Sequence, residues 1–123
     1  MDTYIVKVPA VGDPIVEPFN SKASYQQLAD AVGGYLELAP IPRCIVTHGK
    51  YTIDCFVDEE GLLKAPPLPT NLRLCRLTGH TIVGNGVFAA HDNEGETVGL
   101  SKDDATEIML ALRRCAPTPN GRH

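Results

Sequence analysis

Four cysteines and four histidines are the residues of this chain best suited to metal or nucleophilic chemistry. Cys44-x-x-x-His48 and Cys75-x-x-x-x-His80 have separations that resemble zinc pairs, but a structural zinc site needs four ligands converging from two tight pairs. Cys44 and His48 fall at the two ends of one predicted strand, and four residues of strand span roughly 13 Å, too far to share an ion. The expectation is core cysteines, surface histidines and no metal. Cys55, between Asp54 and Phe56 in another predicted strand, is expected to be a small buried hydrophobe. A small hydrolase built on Cys55, Cys75 or His80 is the enzymatic alternative. Since no G-x-S-x-G, phosphate loop or H-E-x-x-H occurs, no catalytic residue and no cofactor are assigned, and the chain is expected not to be an enzyme.

Charge is distributed more informatively. Between Gly61 and His91 there is no Asp or Glu, while Lys64, Arg73 and Arg76 stand there with His80 and His91. Asp58-Glu59-Glu60 precedes this span, and Asp92, Glu94 and Glu96 follow it. Arg73 and Arg76 could clamp a phosphate or carboxylate, with Lys64 alongside and the amides of Gly84-Asn85-Gly86 nearby. The competing reading is a solvated strip whose arginines pair with flanking acids. A second candidate surface is the face carrying Tyr35 and Glu37, since exposed tyrosine favours protein interfaces. The binding candidates are therefore Lys64, Arg73, Arg76, His80, Tyr35 and Glu37.

A length of 123 residues, 43% of them hydrophobic and 21% charged, fits one globular domain with a real core. The formal net charge of −4 opposes nucleic-acid binding. No secretory signal and no membrane-spanning run are visible, so the expected setting is cytoplasmic, with reduced thiols.

The elements that must position these residues can be taken in order. Thr3 to Val8 alternates as a strand, with Tyr4, Val6 and Val8 on one face, and Ile15-Val16 is a short extended piece. Ser24 and Gln27 form a predicted capping box ahead of a helix whose stripe is Tyr25, Leu28, Ala29 and Val32. Gly33 ends it, and Tyr35 to Leu38 alternates as a strand. Cys44–Thr47 and Tyr51–Val57 are predicted strands joined through His48-Gly49-Lys50. Leu62-Leu63 could begin another strand. Asn71 to Leu77 fits either a strand or a helical turn. Thr81 to Ala90 is predicted as one long strand bulged at Gly84-Asn85-Gly86, followed by a hairpin turn over His91 to Gly95. The clearest helix starts at Ser101, buries Ala105, Ile108, Met109 and Leu112, and ends at Arg113-Arg114. The sum is an α+β domain over residues 1–116, a mostly antiparallel sheet with two helices packed on one side, and a mobile tail over 117–123. A homo-oligomer is expected, because an antiparallel sheet leaves edges to cover.

Several short motifs carry a resemblance. Gly33-Gly34-Tyr35-Leu36-Glu37 follows the short helix. Asp58-Glu59-Glu60-Gly61-Leu62-Leu63, Pro69-x-Asn71, Gly79-His80-Thr81-Ile82-Val83-Gly84 and Asp92-x-Glu94-Gly95-Glu96 come after it in that order. This pattern, from about Ile15 to Met109, resembles domain-of-unknown-function family 3846, small proteins of bacteriophages, mobile elements and their bacterial hosts. The family usually has Asn where Asp58 stands, and none of the four cysteines belongs to its pattern. The resemblance implies a phage-type accessory protein that works by binding a host enzyme, a defence component or a small signalling molecule. The leading expectation is a non-enzymatic protein that binds and modulates a host factor in the host cytoplasm. The alternative is an oligomer that sequesters an anionic nucleotide through Lys64, Arg73 and Arg76.

Overall fold

The computed structural model describes residues 2–41 and 51–115. The predicted Cys44–Thr47 strand, the turn at His48-Gly49-Lys50, the Cys44/His48 pair and the 117–123 tail lie outside those residues. The described chain runs β1 (Tyr4–Val8), β2 (Ile15–Pro18), α1 (Ser24–Val32), β3 (Leu36–Ala39), β4 (Thr52–Asp58), a 3₁₀ turn (Gly61–Leu63), α2 (Leu72–Thr78), β5 (Gly86–His91), β6 (Thr97–Val98) and α3 (Lys102–Arg114).

All strand pairs are antiparallel, in the order β2-β1-β5-β4-β3, with β6 on β5 beyond the end of β1. The expected α+β class with an antiparallel sheet is what the chain adopts. β5 is central and apolar on both faces, which is why it shows no polar alternation. Its Phe88 pairs with Val6 of β1 and Cys55 of β4, and these three point to one face. Val87, Ala89 and Ile5 point to the other.

The helices divide between those two faces. Leu28 and Val32 of α1 cover Ile5, Val87 and Ala89. Leu74 and Leu77 of α2 and Ala105, Ile108, Ala111 and Leu112 of α3 cover Val6, Val8, Cys55, Phe88 and Ala90. The helix at 24–32 and the helix at 101–114, expected on one side, lie on opposite faces: α2 and α3 share one side, and α1 lies across the sheet. The reason is β5: with both faces apolar, each needs a cover.

Three local expectations are corrected. Ser24 does not cap α1: the helix begins at Ser24 itself, Ala23 holds the cap position without a side-chain bond, and Tyr25 is 58% exposed rather than buried. With Ala23 at the cap, Gln27 stands four residues later with its backbone N–H on the Ala23 carbonyl, and its side chain secures the incoming chain instead. Gln27 Oε1 accepts from Asn20 N–H at 2.8 Å, and Nε2 donates to Pro18 O at 2.9 Å. Leu62-Leu63 lies in the 3₁₀ turn, not in a strand.

The third correction concerns residues 81–85, which do not extend β5. Gly84 adopts the left-handed conformation at φ 77° and donates to Pro69 O at 2.7 Å, and Val83 bridges to Thr70. Asn71 explains this path. Its backbone N–H donates to Ile82 O at 2.9 Å, and its side chain is buried. Asn71 Oδ1 accepts from Leu74 N–H at 3.1 Å and caps α2, resolving the ambiguous 71–77 segment as a helix. Asn71 Nδ2 donates to Val8 O at 3.0 Å and Gly84 O at 2.9 Å.

Ser101 caps α3 as expected, its hydroxyl accepting from Asp104 N–H at 3.1 Å, with Asp103 and Asp104 in the first turn and Arg113 and Arg114 in the last. Gly33 ends α1 at φ 83°, and the expected turn after His91 is closed by Asp92, whose Oδ1 accepts from Glu94 and Glu96 amides.

Asn71→Ala removes a helix cap and the side-chain donor shared by the Val8 and Gly84 carbonyls. It is expected to lower the unfolding free energy by about 3 kcal/mol, read as a shifted urea midpoint at unchanged slope.

Candidate functional site

The six candidate binding residues are distributed over four places. Lys64 pairs through Nζ with Asp58 Oδ2 and reaches the Gly33 carbonyl at 3.4 Å. Asp58 is buried, and its Oδ1 also accepts from Glu60 N–H at 2.9 Å. This arrangement sits against Gly34, where an added Cβ would lie 2.7–2.8 Å from the Asp58 carboxyl atoms. The glycine pair and the acidic turn are therefore one unit, further joined by Glu59 N–H donating to Tyr35 O at 2.9 Å.

Arg73 and Arg76 project from α2 to the C-terminal end of α3. Arg73 Nη1 donates to Leu112 O at 3.2 Å, and Arg76 Nη1 donates to Cys115 O at 3.1 Å. Both satisfy carbonyls at the negative end of the α3 dipole. Arg73 Nη2 also pairs with the exposed Asp13 at 3.1 Å. Lys64 belongs to the Gly34–Asp58 unit, so the three cations do not converge on one anion site.

Glu37 and His80 do come together. They line a cleft of about 220 Å³ between β3, the turn after β4 and the 80–83 segment, with Leu38 and Leu62 exposed on its wall. Tyr35 is 66% exposed just before β3 and does not line the cleft.

A second concavity was not legible from residue types. It is a groove of about 310 Å³ between the β1–β2 edge and α3, lined by Tyr4, Val16, Ala105, Met109 and Leu110, with Lys102 and Arg113 at its ends. It continues past Met109 and Arg113 into a depression of about 400 Å³ bounded by Asp13, Pro14 and Arg73. The signal for it lay in α3, where Lys102, Met109 and Arg113 recur at helical spacing beside the buried stripe. Met109, expected in the core, is only partly buried and sits at the junction of core and groove. Val16 and Leu110 are 42% and 39% exposed, so this apolar lining is open to a partner.

The thiols are differently placed. Cys55 is fully buried on the α2–α3 face, and burial, reinforced by the adjacent Asp54 carboxylate, pushes its thiol up to about 12. Asp54 meets His91 Nδ1 at 2.7 Å. The β4–β5 register puts that pair on the α1 face, across the sheet from Cys55. Cys75 Sγ donates to Ile82 O at 3.3 Å and accepts from Ile82 N–H at 3.2 Å, while His80 is exposed. No cluster able to hold a metal occurs among the described residues. No described helix is long and apolar enough to cross a membrane.

Compared with known protein families, residues 3–113 match the family described as Domain of unknown function (DUF3846). No curated protein and no solved structure matches the chain.

Gly34→Ala is expected to cost about 2 kcal/mol by crowding the Asp58 carboxylate. In an Asp58→Ala background the same change is expected to cost far less, and urea unfolding of the four members of that cycle measures the coupling. Cys55 is expected to resist iodoacetamide at pH 8 until the protein unfolds, as followed by mass spectrometry in a urea series. Its raised pKa favours the folded state below the unfolded value, and that contribution is lost as pH rises toward about 12.

Proposed function

We propose that this chain, which belongs to the DUF3846 family, is a non-enzymatic accessory protein of a phage or mobile element that binds and modulates a protein in the cytoplasm of its bacterial host. The observation that carries the reading is the α3 groove. Its apolar lining is open and cations stand at its ends. The family-type motifs support the same reading in another way. Gly34, Asp58 and Asn71 are occupied in holding the fold together, which leaves recognition to surface residues outside them.

Sequestration of an anionic nucleotide is the weaker alternative. Arg73 and Arg76 would have to release the α3 carbonyls, and Lys64 would have to release Asp58. Leaving a buried carboxylate unpaired is costly.

The test is affinity capture from bacterial lysate with the wild-type chain and Leu110→Asp side by side. A discrete protein retained by the first and lost by the second is the expected result. Capture that ignores Leu110, or no protein captured at any salt concentration, overturns the reading.

A further inference from the structure

The groove has an axis, and its chemistry along that axis is specific. Lys102 and Arg113 are eleven residues apart in one helix, which is close to three full turns, so both project to the same side roughly 16 Å apart. Between them the lining is mostly apolar, from Ala105 and Met109 of α3 and Val16 of β2, with the Thr106 hydroxyl as its polar group. Neither Lys102 nor Arg113 has an ion-pair partner among the described residues. On a chain of net charge −4, this is a locally cationic, amphipathic strip.

Strand addition is a poor way to fill it. β2 is the outer strand here, and its register with β1 pairs Pro18 with Tyr4 and Val16 with Val6. Phe19 N–H donates inward to Thr3 O at 2.9 Å, so by alternation Pro18 and Val16 face outward, and Pro14 follows the same parity. Two of these three outward positions are prolines and offer no N–H. An added strand would find a single donor, at Val16. A ligand that satisfies its own backbone bonds fits better, and that ligand is a helix.

We infer that the groove receives an amphipathic helix of a partner protein, its apolar stripe against Val16, Met109 and Leu110 and its carboxylates reaching Lys102 and Arg113. This rests on the protein-binding reading above and adds the chemistry of the partner. The charge spacing asks for acidic residues about three turns apart on the face that carries the apolar residues. Charge at the ends selects the partner and its alignment, while the apolar centre supplies most of the affinity.

The probe is a fluorescein-labelled, alanine-rich helical peptide with Glu, Leu, Leu and Glu at i, i+4, i+7 and i+11, followed by fluorescence anisotropy. Its counterpart carries Lys in both Glu positions. The wild-type protein is expected to prefer the Glu peptide by about tenfold, roughly 1.4 kcal/mol. The Lys102→Glu, Arg113→Glu double variant, verified as folded by circular dichroism, is expected to prefer the Lys peptide instead. Equal binding of both peptides, no binding by the wild type, or a preference that the double variant leaves unchanged overturns the inference. So does sedimentation showing a dimer that Leu110→Asp dissolves, because a second copy would then occupy the groove. If lysate capture still depends on Leu110 while the peptides show no charge preference, the helix inference fails and the protein-binding reading stands. If Leu110 has no effect on capture, both fail.

Discussion

One buried amide fixes the relation of three elements. Asn71 holds the end of β1 through the Val8 carbonyl, the entry to β5 through the Gly84 carbonyl, and the start of α2 through the Leu74 amide. Each partner is a backbone group withdrawn from water, so each needs a partner of its own. A hydrophobic residue could fill the space but could not serve two acceptors and one donor at once. With Asn71 seated, α2 must lie on the face of Val8 and Phe88, and its arginines must reach the end of α3. The cover of that face therefore depends on one side chain contributed by a loop.

A second tie closes the other side of the molecule. Gly34 lacks the Cβ that would collide with Asp58, so the buried carboxylate can sit beside the junction of α1 and β3 and take bonds from Glu60 and Lys64. Two of the motifs that carry the resemblance are thus the two halves of a structural joint. Surfaces away from this joint are built from other residues. The α3 groove is a surface of this kind: it is formed by Val16, Met109 and Leu110, which no motif includes.

The distribution of charge shows how a linear pattern can mislead about a surface. The absence of acids from 61 to 91 is real, yet Lys64 turns to Asp58 while Arg73 and Arg76 turn to α3. Carbonyls at a helix end attract guanidinium groups, and no sequence position reveals them. Asp13, the acid that meets Arg73, lies sixty residues away in sequence.

Periodicity with local cap and turn residues was enough for β1, for the stop of α1 at Gly33, for the hairpin after His91 and for α3 with its Ser101 cap. In each, the signal and its physical cause lie within a few residues of one another. The antiparallel α+β class follows from those elements. The sequence could not determine what depends on groups brought together from afar. It left open whether 71–77 is helix or strand and what the arginines bind, and it misplaced the face of α1 and the start of β5. Those outcomes rest on the Val8 and Gly84 carbonyls meeting Asn71, and on a central strand apolar on both sides, so only the assembled tertiary structure could decide them.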